Sequence, residues 1–248
     1  LQRERPDCIW FMTDPRFYQW LWDMSDEIRS VCSLVYYHVW DNYPYPKFNK
    51  SSYDCNDKTV AISKLTYDIL KTLSPKTDPV YLPHAVDQNF FKKRTDPGPK
   101  ELKKQVYQNT PNRKDNFTFF WNSRNPRRKQ SGSLIYWFKD FLDKVGHDKA
   151  NLIMHTDVKD PHGQDLEAII TELGLTNGEV VFSTSKVDFN MMSMFYNFAD
   201  CTIAVSDAEG FGLSMLESMA CGTPIICTMT GGMQDQVTNG EDWFGIGI

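Results

Sequence analysis

Short apolar segments alternate with helical segments through the second half of the chain, and this alternation constrains the fold more than any other feature. Five mostly apolar runs between residues 117 and 227 have the length of strands, and apolar residues between these runs recur at helical spacing. The predicted strands are Phe117–Trp121, Asn151–Met154, Val180–Phe182, Cys201–Val205 and Pro224–Cys227, and the predicted helices are Leu134–Val145, Leu166–Leu173, Met191–Phe198 and Leu213–Ala220. Continuously apolar strands are typical of a parallel sheet that is covered on both faces. We therefore predict a doubly wound α/β domain.

The first part of the chain is less regular. The predicted strands are Cys8–Met12, Val31–Tyr37 and Thr59–Ile62, and the predicted helices are Phe17–Ile28 and Leu65–Leu73. This part is also α/β, but three strands are few for a complete open sheet. Because Pro79 and Pro83 interrupt the pattern, we predict a partial Rossmann-like domain over residues 1–80 and a second Rossmann-like domain over residues 81–248.

The composition is that of a globular protein. Apolar residues make up 41% and aromatic residues 14% of the 248 residues, which is enough to pack a core. No apolar run is long enough to span a bilayer, and no signal-peptide pattern opens the sequence. The cysteines form no CxxC pair and no Cys/His cluster, which argues against zinc and fits a reducing compartment. We predict a cytoplasmic protein without a transmembrane segment, for which peripheral membrane contact stays open.

Charge is distributed unevenly along the chain. The net charge is −5, yet residues 92–129 carry 12 basic and 3 acidic side chains. A cationic block in an acidic protein favours a local anionic partner over nucleic acid. For the lysines between Lys92 and Lys104, a solvated lysine-rich surface is the simpler interpretation. The basic residues that follow Trp121 are therefore the stronger candidates for a site.

A glycine-containing loop and the helix after it form a candidate anion site. Gly210 and Gly212 follow the predicted strand Cys201–Val205, and ligands of open α/β sheets bind at the carboxyl ends of strands. Glycines let a ligand approach the main chain closely, and the N–H groups at a helix N-terminus favour an anion such as a diphosphate. Glu217 lies near the inward stripe of that helix, where a carboxylate needs partners. Sugar hydroxyls would serve, but a structural turn with a glutamate paired to a local lysine or backbone group is also compatible.

The wider segment AEGFGLSMLESMACGTPII, residues 208–226, resembles the donor-site signature of glycosyltransferase family 4 (glycosyl transferases group 1), whose members have the GT-B fold. Two glutamates eight positions apart, Glu209 and Glu217, match that signature, as does the paired glycine Gly231–Gly232. The resemblance implies that Glu209 contacts hydroxyls of the transferred sugar and that Glu217 holds the ribose of the nucleotide. It also implies that the sugar and the diphosphate are held by the backbone of Gly210, Phe211, Gly212 and Leu213.

Two more segments resemble this family. Behind the strand that ends at Trp121, Arg124 and Lys129 have the spacing of the family's arginine and lysine, although Ser123 and Gln130 stand where glycines are usual. An arginine and a lysine that converge on a diphosphate offset its charge and stabilise the charge that builds as it leaves. His38, at the end of an early strand, matches a histidine that approaches the donor sugar, although a lone histidine is more often structural.

The resemblance implies a retaining hexosyltransferase that moves a hexose from a nucleoside diphosphate sugar to a hydroxyl of a glycan, lipid or small molecule. It implies a GT-B fold of two Rossmann-like domains, no bound metal or other cofactor, and the leaving diphosphate as the base. The charge pattern predicts no nucleic-acid partner. We expect an incomplete N-terminal, acceptor-side domain and a donor-binding C-terminal domain truncated at its end, because the family's usual start and final helices are absent. The alternatives are a non-catalytic nucleotide-sugar-binding protein, and a phosphorylase or epimerase on the same architecture. Arg124, Lys129, Glu209 and Glu217 together favour the transferase.

Overall fold

The computed structural model describes residues 3–248, which form two compact units. The first unit runs up to His84 and also includes Ala208–Gly212 and Thr230–Asp235. The second unit comprises the remaining segments, which are Ala85–Asp207, Leu213–Met229 and Gln236–Ile248. This division follows spatial contacts, whereas the division after residue 80 follows the sequence pattern and stays a prediction. Within residues 3–248, no helix has both the length and the apolar character needed to cross a bilayer.

In the part of the first unit that the structure describes, four strands form a parallel sheet. They are β1 (Cys8–Thr13), β2 (Ser33–His38), β3 (Lys58–Ala61) and β4 (Val80–Tyr81), in the order β1-β2-β3-β4. The helices are α1 (Gln19–Asp23), α2 (Ser25–Arg29), α3 (Lys50–Asp54) and α4 (Lys64–Leu73). The three predicted strands and helix α4 are confirmed. The two-residue strand β4 was not predicted, because so short an element shows no periodicity.

The continuous helix predicted for Phe17–Ile28 is wrong. A 3₁₀ turn at Pro15–Tyr18 comes first, and α1 and α2 are separated at Met24, whose φ of −100° and ψ of 9° are not helical. The indole N–H of Trp22 donates to the carbonyl of Pro15 at 2.9 Å, and its ring packs 5.2 Å from the ring of Phe11. Tertiary packing thus interrupts a segment whose apolar pattern shows which residues are buried but not where the helix breaks.

The second unit is built on a six-stranded parallel sheet within the described residues. Its strands are β5 (Phe117–Asn122), β6 (Ala150–His155), β7 (Val180–Ser183), β8 (Cys201–Ala204), β9 (Ile225–Cys227) and β10 (Ile246–Gly247), in the order β10-β9-β8-β5-β6-β7. The helices that follow Ala85 are α5 (Gly98–Val106), α6 (Ser131–Val145), α7 (Leu166–Glu172), α8 (Phe189–Phe198), α9 (Leu213–Ala220) and α10 (Gln234–Val237). The predicted doubly wound arrangement is confirmed.

The core of the second unit lies on both faces of its sheet. Trp121 and Leu152 belong to one apolar cluster, with Leu134 and Phe138 of α6. Phe120 and Ile153 point to the opposite face and belong to another cluster, with residues of α8. Because successive side chains of a strand alternate between faces, burial on both faces requires strands that are apolar throughout. This is the physical reason for the continuous apolar runs in the sequence.

The strand order of this sheet creates a switch point between β5 and β8. These two strands are neighbours, with Phe119 opposite Cys201. The chain leaves β5 towards β6 on one side and leaves β8 towards β9 on the other. Such a divergence opens a crevice at the carboxyl ends of the two strands, where ligands of open α/β sheets bind. The loops after β5 and β8 therefore stand at the position where this class of sheet binds its ligands.

Candidate functional site

The loop between β5 and α6 carries Arg124, whose side chain is 73% exposed. Its Nη2 and Nε atoms lie 2.7 and 3.1 Å from Oδ2 of Asp160. Asp160 is buried, and the backbone N–H of His162 together with Arg124 lowers the pKa of its carboxyl. The ion pair therefore orients the Arg124 guanidinium at the carboxyl edge of the sheet while much of this cation stays accessible.

The same loop continues through a 3₁₀ turn at Arg127–Lys129 to Gln130. Gln130 has a φ of +54°, a left-handed conformation that glycine adopts most readily. Its side-chain amide donates to both carboxylate oxygens of Asp207, and the backbone N–H of Asp207 donates to the carbonyl of Arg128 at 2.8 Å. The loop after β5, which contains Lys129, is thus joined to the loop after β8.

The glycine-containing segment Ala208–Gly212 belongs to the first unit. Gly212 has a φ of +88°, and a Cβ atom on Gly210 would lie 3.0 Å from the carbonyl oxygen of Val39. Glycine is therefore favoured at 212 by the backbone conformation and at 210 by the close approach of Val39. The ring of Phe211 is buried and lies edge-on to His84, with ring centroids 5.3 Å apart.

The paired glycine Gly231–Gly232 supports the backbone of Glu209. The N–H of Gly232 donates to the carbonyl of Glu209 at 2.9 Å. A Cβ atom on Gly231, whose φ is +48°, would collide with that carbonyl oxygen. The two segments therefore pack main chain against main chain within the first unit, which explains why a turn this far along the sequence carries two glycines.

Glu217 lies on α9, the helix that begins at Leu213 immediately after Gly212. Its carboxylate is half-buried, and Oε2 accepts a hydrogen bond of 2.6 Å from the hydroxyl of Tyr196. That hydroxyl accepts in turn from the side-chain amide of Asn122, at 2.9 Å. Burial raises the pKa of Glu217, and the hydrogen bond from Tyr196 opposes this rise.

The partner of Glu217 differs from those considered in the sequence analysis, which were a local lysine and a backbone group. Neither a lysine nor a backbone group pairs with Glu217 among the described residues; Tyr196 does so instead. Sequence reasoning missed Tyr196 and Asn122. The available signal was the hydroxyl of Tyr196 on a predicted helix and the amide of Asn122 at the end of a predicted strand. Buried polar groups need hydrogen-bond partners.

His38, at the end of β2, is fully buried in the first unit. Its ring lies 4.5 Å from the Tyr53 ring, Nδ1 is 3.2 Å from the hydroxyl of Tyr36, and Nε2 has no hydrogen-bond partner among residues 3–248. Burial lowers the pKa of His38 to about 3, so the imidazole is neutral at physiological pH. The role of His38 at the donor sugar stays a prediction.

The candidate residues thus fall into two groups. His38, Glu209, Gly210, Phe211 and Gly212 lie in the first unit, and Arg124, Lys129, Leu213 and Glu217 lie in the second unit.

Among residues 3–248, no group of three or more His, Cys, Asp and Glu side chains is arranged to hold a metal ion. His155, at the end of β6, bonds through Nδ1 to the Ser183 hydroxyl at 2.9 Å.

Glycosyltransferases with the GT-B fold have two α/β units, each built on a parallel sheet. They also have a basic loop and a glutamate-bearing helix at the switch point of the second sheet. The chain matches the family described as glycosyl transferases group 1 over residues 102–246. This match covers more than half of the chain, and the protein belongs to that family.

Curated relatives match over a shorter segment. The D-inositol 3-phosphate glycosyltransferase of Acidothermus cellulolyticus is 38% identical over 76 residues, which are 31% of this chain and 16% of the relative. The enzyme of the same name from Thermobispora bispora is 46% identical over 75 residues, which are 30% of this chain and 17% of the relative. These alignments therefore relate only a minor part of each relative to this chain.

Solved structures resemble nearly the whole chain. Anabaena Alr3699/HepE in complex with UDP and glucose has a TM-score of 0.74 and 20% identity, covering 97% of this chain and 64% of that chain. A glycosyltransferase from Rickettsia africae has a TM-score of 0.75 and 19% identity, covering 100% of this chain and 63% of that chain. This chain thus spans slightly less than two thirds of the length of these proteins. The comparison confirms the predicted GT-B type of fold.

Proposed function

We propose that this chain acts in a retaining glycosyltransferase that moves a hexose from a nucleoside diphosphate sugar to an acceptor hydroxyl. One observation carries this proposal. In the second unit, Glu217 is connected through Tyr196 to Asn122, the last residue of β5, and the basic loop begins two residues later with Arg124. A carboxylate that can accept hydrogen bonds from hydroxyl groups and a cation that can pair with a diphosphate are thus linked to one edge of one sheet, which supports the proposal.

The comparisons support a nucleotide sugar as the donor. Alr3699/HepE, which shares the fold, was solved with UDP and glucose and also with UDP-glucose. The curated relatives are named glycosyltransferases, and the segments that they share with this chain cover 30% to 32% of it. These likenesses favour a uridine nucleotide as the first donor to test, and the identity of the acceptor is left to the experiment.

Each candidate residue has a role in the proposed reaction. Arg124 and Lys129 offset the charge of the diphosphate and stabilise the charge that grows on it as the sugar departs. Glu217 accepts hydrogen bonds from ribose hydroxyls. The backbone from Gly210 to Leu213 holds the sugar and the diphosphate, Glu209 orients the sugar hydroxyls, and His38 is assigned to the sugar by resemblance alone.

The proposed chemistry needs no dedicated base from the protein. The bond between the anomeric carbon and the diphosphate oxygen breaks, and a bond to the acceptor oxygen forms on the same face of the sugar. The acceptor proton passes to the departing diphosphate, which keeps the step balanced. The retained configuration follows from attack on the face that the diphosphate leaves, and no metal ion takes part in this proposal.

The first experiment measures nucleotide binding by the purified chain. Isothermal titration with UDP and GDP is carried out on the wild type and on Glu217→Gln and Arg124→Ala. Each of these variants is expected to weaken binding of the preferred nucleotide by about tenfold or more, since each removes a charged hydrogen-bonding partner. The matched controls are Glu172→Gln and Arg127→Ala, which change exposed residues of the same unit.

The second experiment tests turnover. The chain is incubated with a panel of nucleoside diphosphate hexoses and hydroxyl acceptors, and the anomeric configuration of the product is determined by NMR. A retained configuration, with activity undiminished by a metal chelator, is expected. An inverted product or loss of activity on chelation contradicts the proposed mechanism. Tight nucleotide binding without turnover of any donor supports the alternative, a non-catalytic nucleotide-sugar-binding protein.

A further inference from the structure

The hydroxyl of Tyr196 occupies an enclosed position between two polar side chains. Tyr196 lies on α8 and is 0% exposed. Its hydroxyl accepts a hydrogen bond from Asn122 and donates one to Oε2 of Glu217, so the direction of both bonds is fixed. A donor amide on one side leaves the single hydroxyl proton only one acceptor, the carboxylate.

This arrangement constrains the carboxylate of Glu217. A hydrogen bond to a carboxylate is charge-assisted, and at 2.6 Å it is short. With Oε2 held by Tyr196, the other oxygen, Oε1, has no hydrogen-bond partner among residues 3–248. The rotation of the carboxylate is therefore set from one side, and Oε1 keeps its full capacity to accept hydrogen bonds from a ligand.

We propose that Tyr196 is a positioning residue of the nucleotide site, which fixes the Glu217 carboxylate so that it selects ribonucleotides over 2′-deoxyribonucleotides. The inference rests on the proposed function, in which Glu217 holds ribose. A carboxylate oxygen in a fixed orientation accepts well from two adjacent hydroxyls, whereas a rotating carboxylate meets that geometry only part of the time. Loss of one hydroxyl from the ligand therefore costs more when the carboxylate is fixed.

The groups around Glu217 allow a pH measurement to separate positioning from packing. Tyr196 of α8 bonds to this carboxylate, Asn122 of β5 bonds to Tyr196, and Cys221 follows α9 directly. Among residues 3–248, no lysine, arginine or second carboxylate contributes to the shift of the Glu217 pKa. Burial raises the pKa of Glu217, and the Tyr196 hydrogen bond works against burial. Removal of that hydroxyl therefore raises the pKa further, and nucleotide binding that needs the carboxylate is lost at a higher pH.

The variant Tyr196→Phe removes the hydroxyl and retains the ring. It also retains the backbone carbonyl of Tyr196, which accepts a hydrogen bond from the Thr223 hydroxyl at 2.6 Å. The matched control is Tyr107→Phe, a tyrosine that is equally buried in the same apolar cluster. Circular dichroism and thermal melts establish that both variants fold before binding is compared.

The test measures the affinity of wild type, Tyr196→Phe, Tyr107→Phe and Glu217→Gln for UDP and for 2′-deoxy-UDP between pH 5 and pH 8. For Tyr196→Phe we expect about tenfold weaker UDP binding. We also expect a smaller preference for UDP over 2′-deoxy-UDP. The acid limb, which is the loss of affinity as Glu217 becomes protonated at low pH, should move to higher pH. Glu217→Gln should have a similarly small preference and no acid limb, and Tyr107→Phe should behave as the wild type.

The outcomes distinguish this inference from the function on which it rests. If the wild type binds neither UDP nor GDP, the proposed function fails. If Glu217→Gln weakens binding but Tyr196→Phe keeps the wild-type preference and the wild-type acid limb, the positioning role is overturned and the proposed function stands. If Tyr196→Phe weakens both nucleotides by the same factor, with the acid limb unmoved, Tyr196 only supports packing and the inference is likewise overturned.

Discussion

The side-chain amide of Gln130 donates hydrogen bonds of 2.9 and 2.8 Å to the two carboxylate oxygens of Asp207. This contact joins the loop after β5 to the loop after β8, across the switch point of the sheet. Gln130 has a left-handed backbone conformation, with a φ of +54°, which is unfavourable for a residue with a Cβ atom. A strained backbone and a link between two loops thus occur at the same residue.

We predict that Gln130→Ala weakens nucleotide binding by roughly threefold to tenfold, because the link to Asp207 is lost while the strained conformation stays. Gln130→Gly also loses the link but removes the strain, so its melting temperature should exceed that of Gln130→Ala. Titration calorimetry with UDP and thermal melts measure both effects. The control is Gln105→Ala, an exposed glutamine on α5. Equal melting temperatures of the two Gln130 variants would contradict the strain argument.

Gly231 offers a second prediction, because two separate effects prohibit a side chain there. Its φ is +48°, and a Cβ atom would collide with the carbonyl oxygen of Glu209. Gly174 has a similar φ of +69°, but a Cβ atom there meets nothing within 4 Å. We expect Gly174→Ala to lower the free energy of unfolding by about 1 kcal/mol, from backbone strain alone. Gly231→Ala should cost distinctly more, as measured by urea unfolding.

The buried ion pair between Arg113 and Glu179 gives a third prediction. Their side chains are 7% and 2% exposed, and Nη2 of Arg113 lies 3.1 Å from Oε1 of Glu179. Glu179→Ala leaves the guanidinium buried without its counter-charge, so we expect a loss of about 3 to 5 kcal/mol in the free energy of unfolding. Glu172→Ala, on an exposed position of the same unit, should change it by less than about 0.5 kcal/mol. Equal melting curves of the wild type and Glu179→Ala would contradict this prediction, because they would show that water replaces Glu179 as the partner of the Arg113 guanidinium.

This ion pair also bears on the choice of controls. Glu179 lies outside the candidate site. The sequence around it does not indicate that its side chain is buried. A variant at Glu179 would reduce nucleotide binding by destabilising the second unit rather than by altering the site. Glu172 is the better control for Glu217, because its side chain is exposed.

The buried imidazole of His38 predicts how stability depends on pH. Burial lowers its pKa from 6.5 to about 3. Below pH 6.5 the unfolded chain binds a proton there that the folded chain does not bind until near pH 3. The contribution of His38 is therefore fully present above pH 6.5 and is lost as the pH falls towards 3.

His38→Phe retains a ring but removes this titration. Between pH 6.5 and pH 5, the wild type should lose about 1.6 kcal/mol more stability than the variant. Urea unfolding at the two pH values measures the difference, and the contributions of the other titrating groups largely cancel in it. A wild type and a variant that lose stability in parallel would show that folding does not lower the pKa of His38.

Periodicity made much of the second unit predictable. Helix α9 has the predicted bounds, Leu213–Ala220, and β5 and β6 differ from prediction by one residue at one or both ends. These elements are buried on a defined face or on both faces, so their apolar spacing reports their structure directly. Strand β4 and the interruption at Met24 were not predictable in this way, because neither depends on the spacing of apolar residues.

The candidate site divides along the same line. Apolar spacing was enough to predict the doubly wound sheet, and turn chemistry was enough to predict the role of the glycines before α9, because both are local properties of the sequence. The candidates Arg124, Lys129, Glu209 and Glu217 were found through the resemblance to the family's signature. Their partners became visible in the tertiary structure, where Tyr196 bonds to Glu217, Asp160 bonds to Arg124 and Asp207 bonds to Gln130. Each of these pairs joins residues at least 21 positions apart in the chain. Such hydrogen bonds form only when neighbouring parallel strands bring distant loops and helices to one edge of the sheet, and no local pattern records which side chains will meet there.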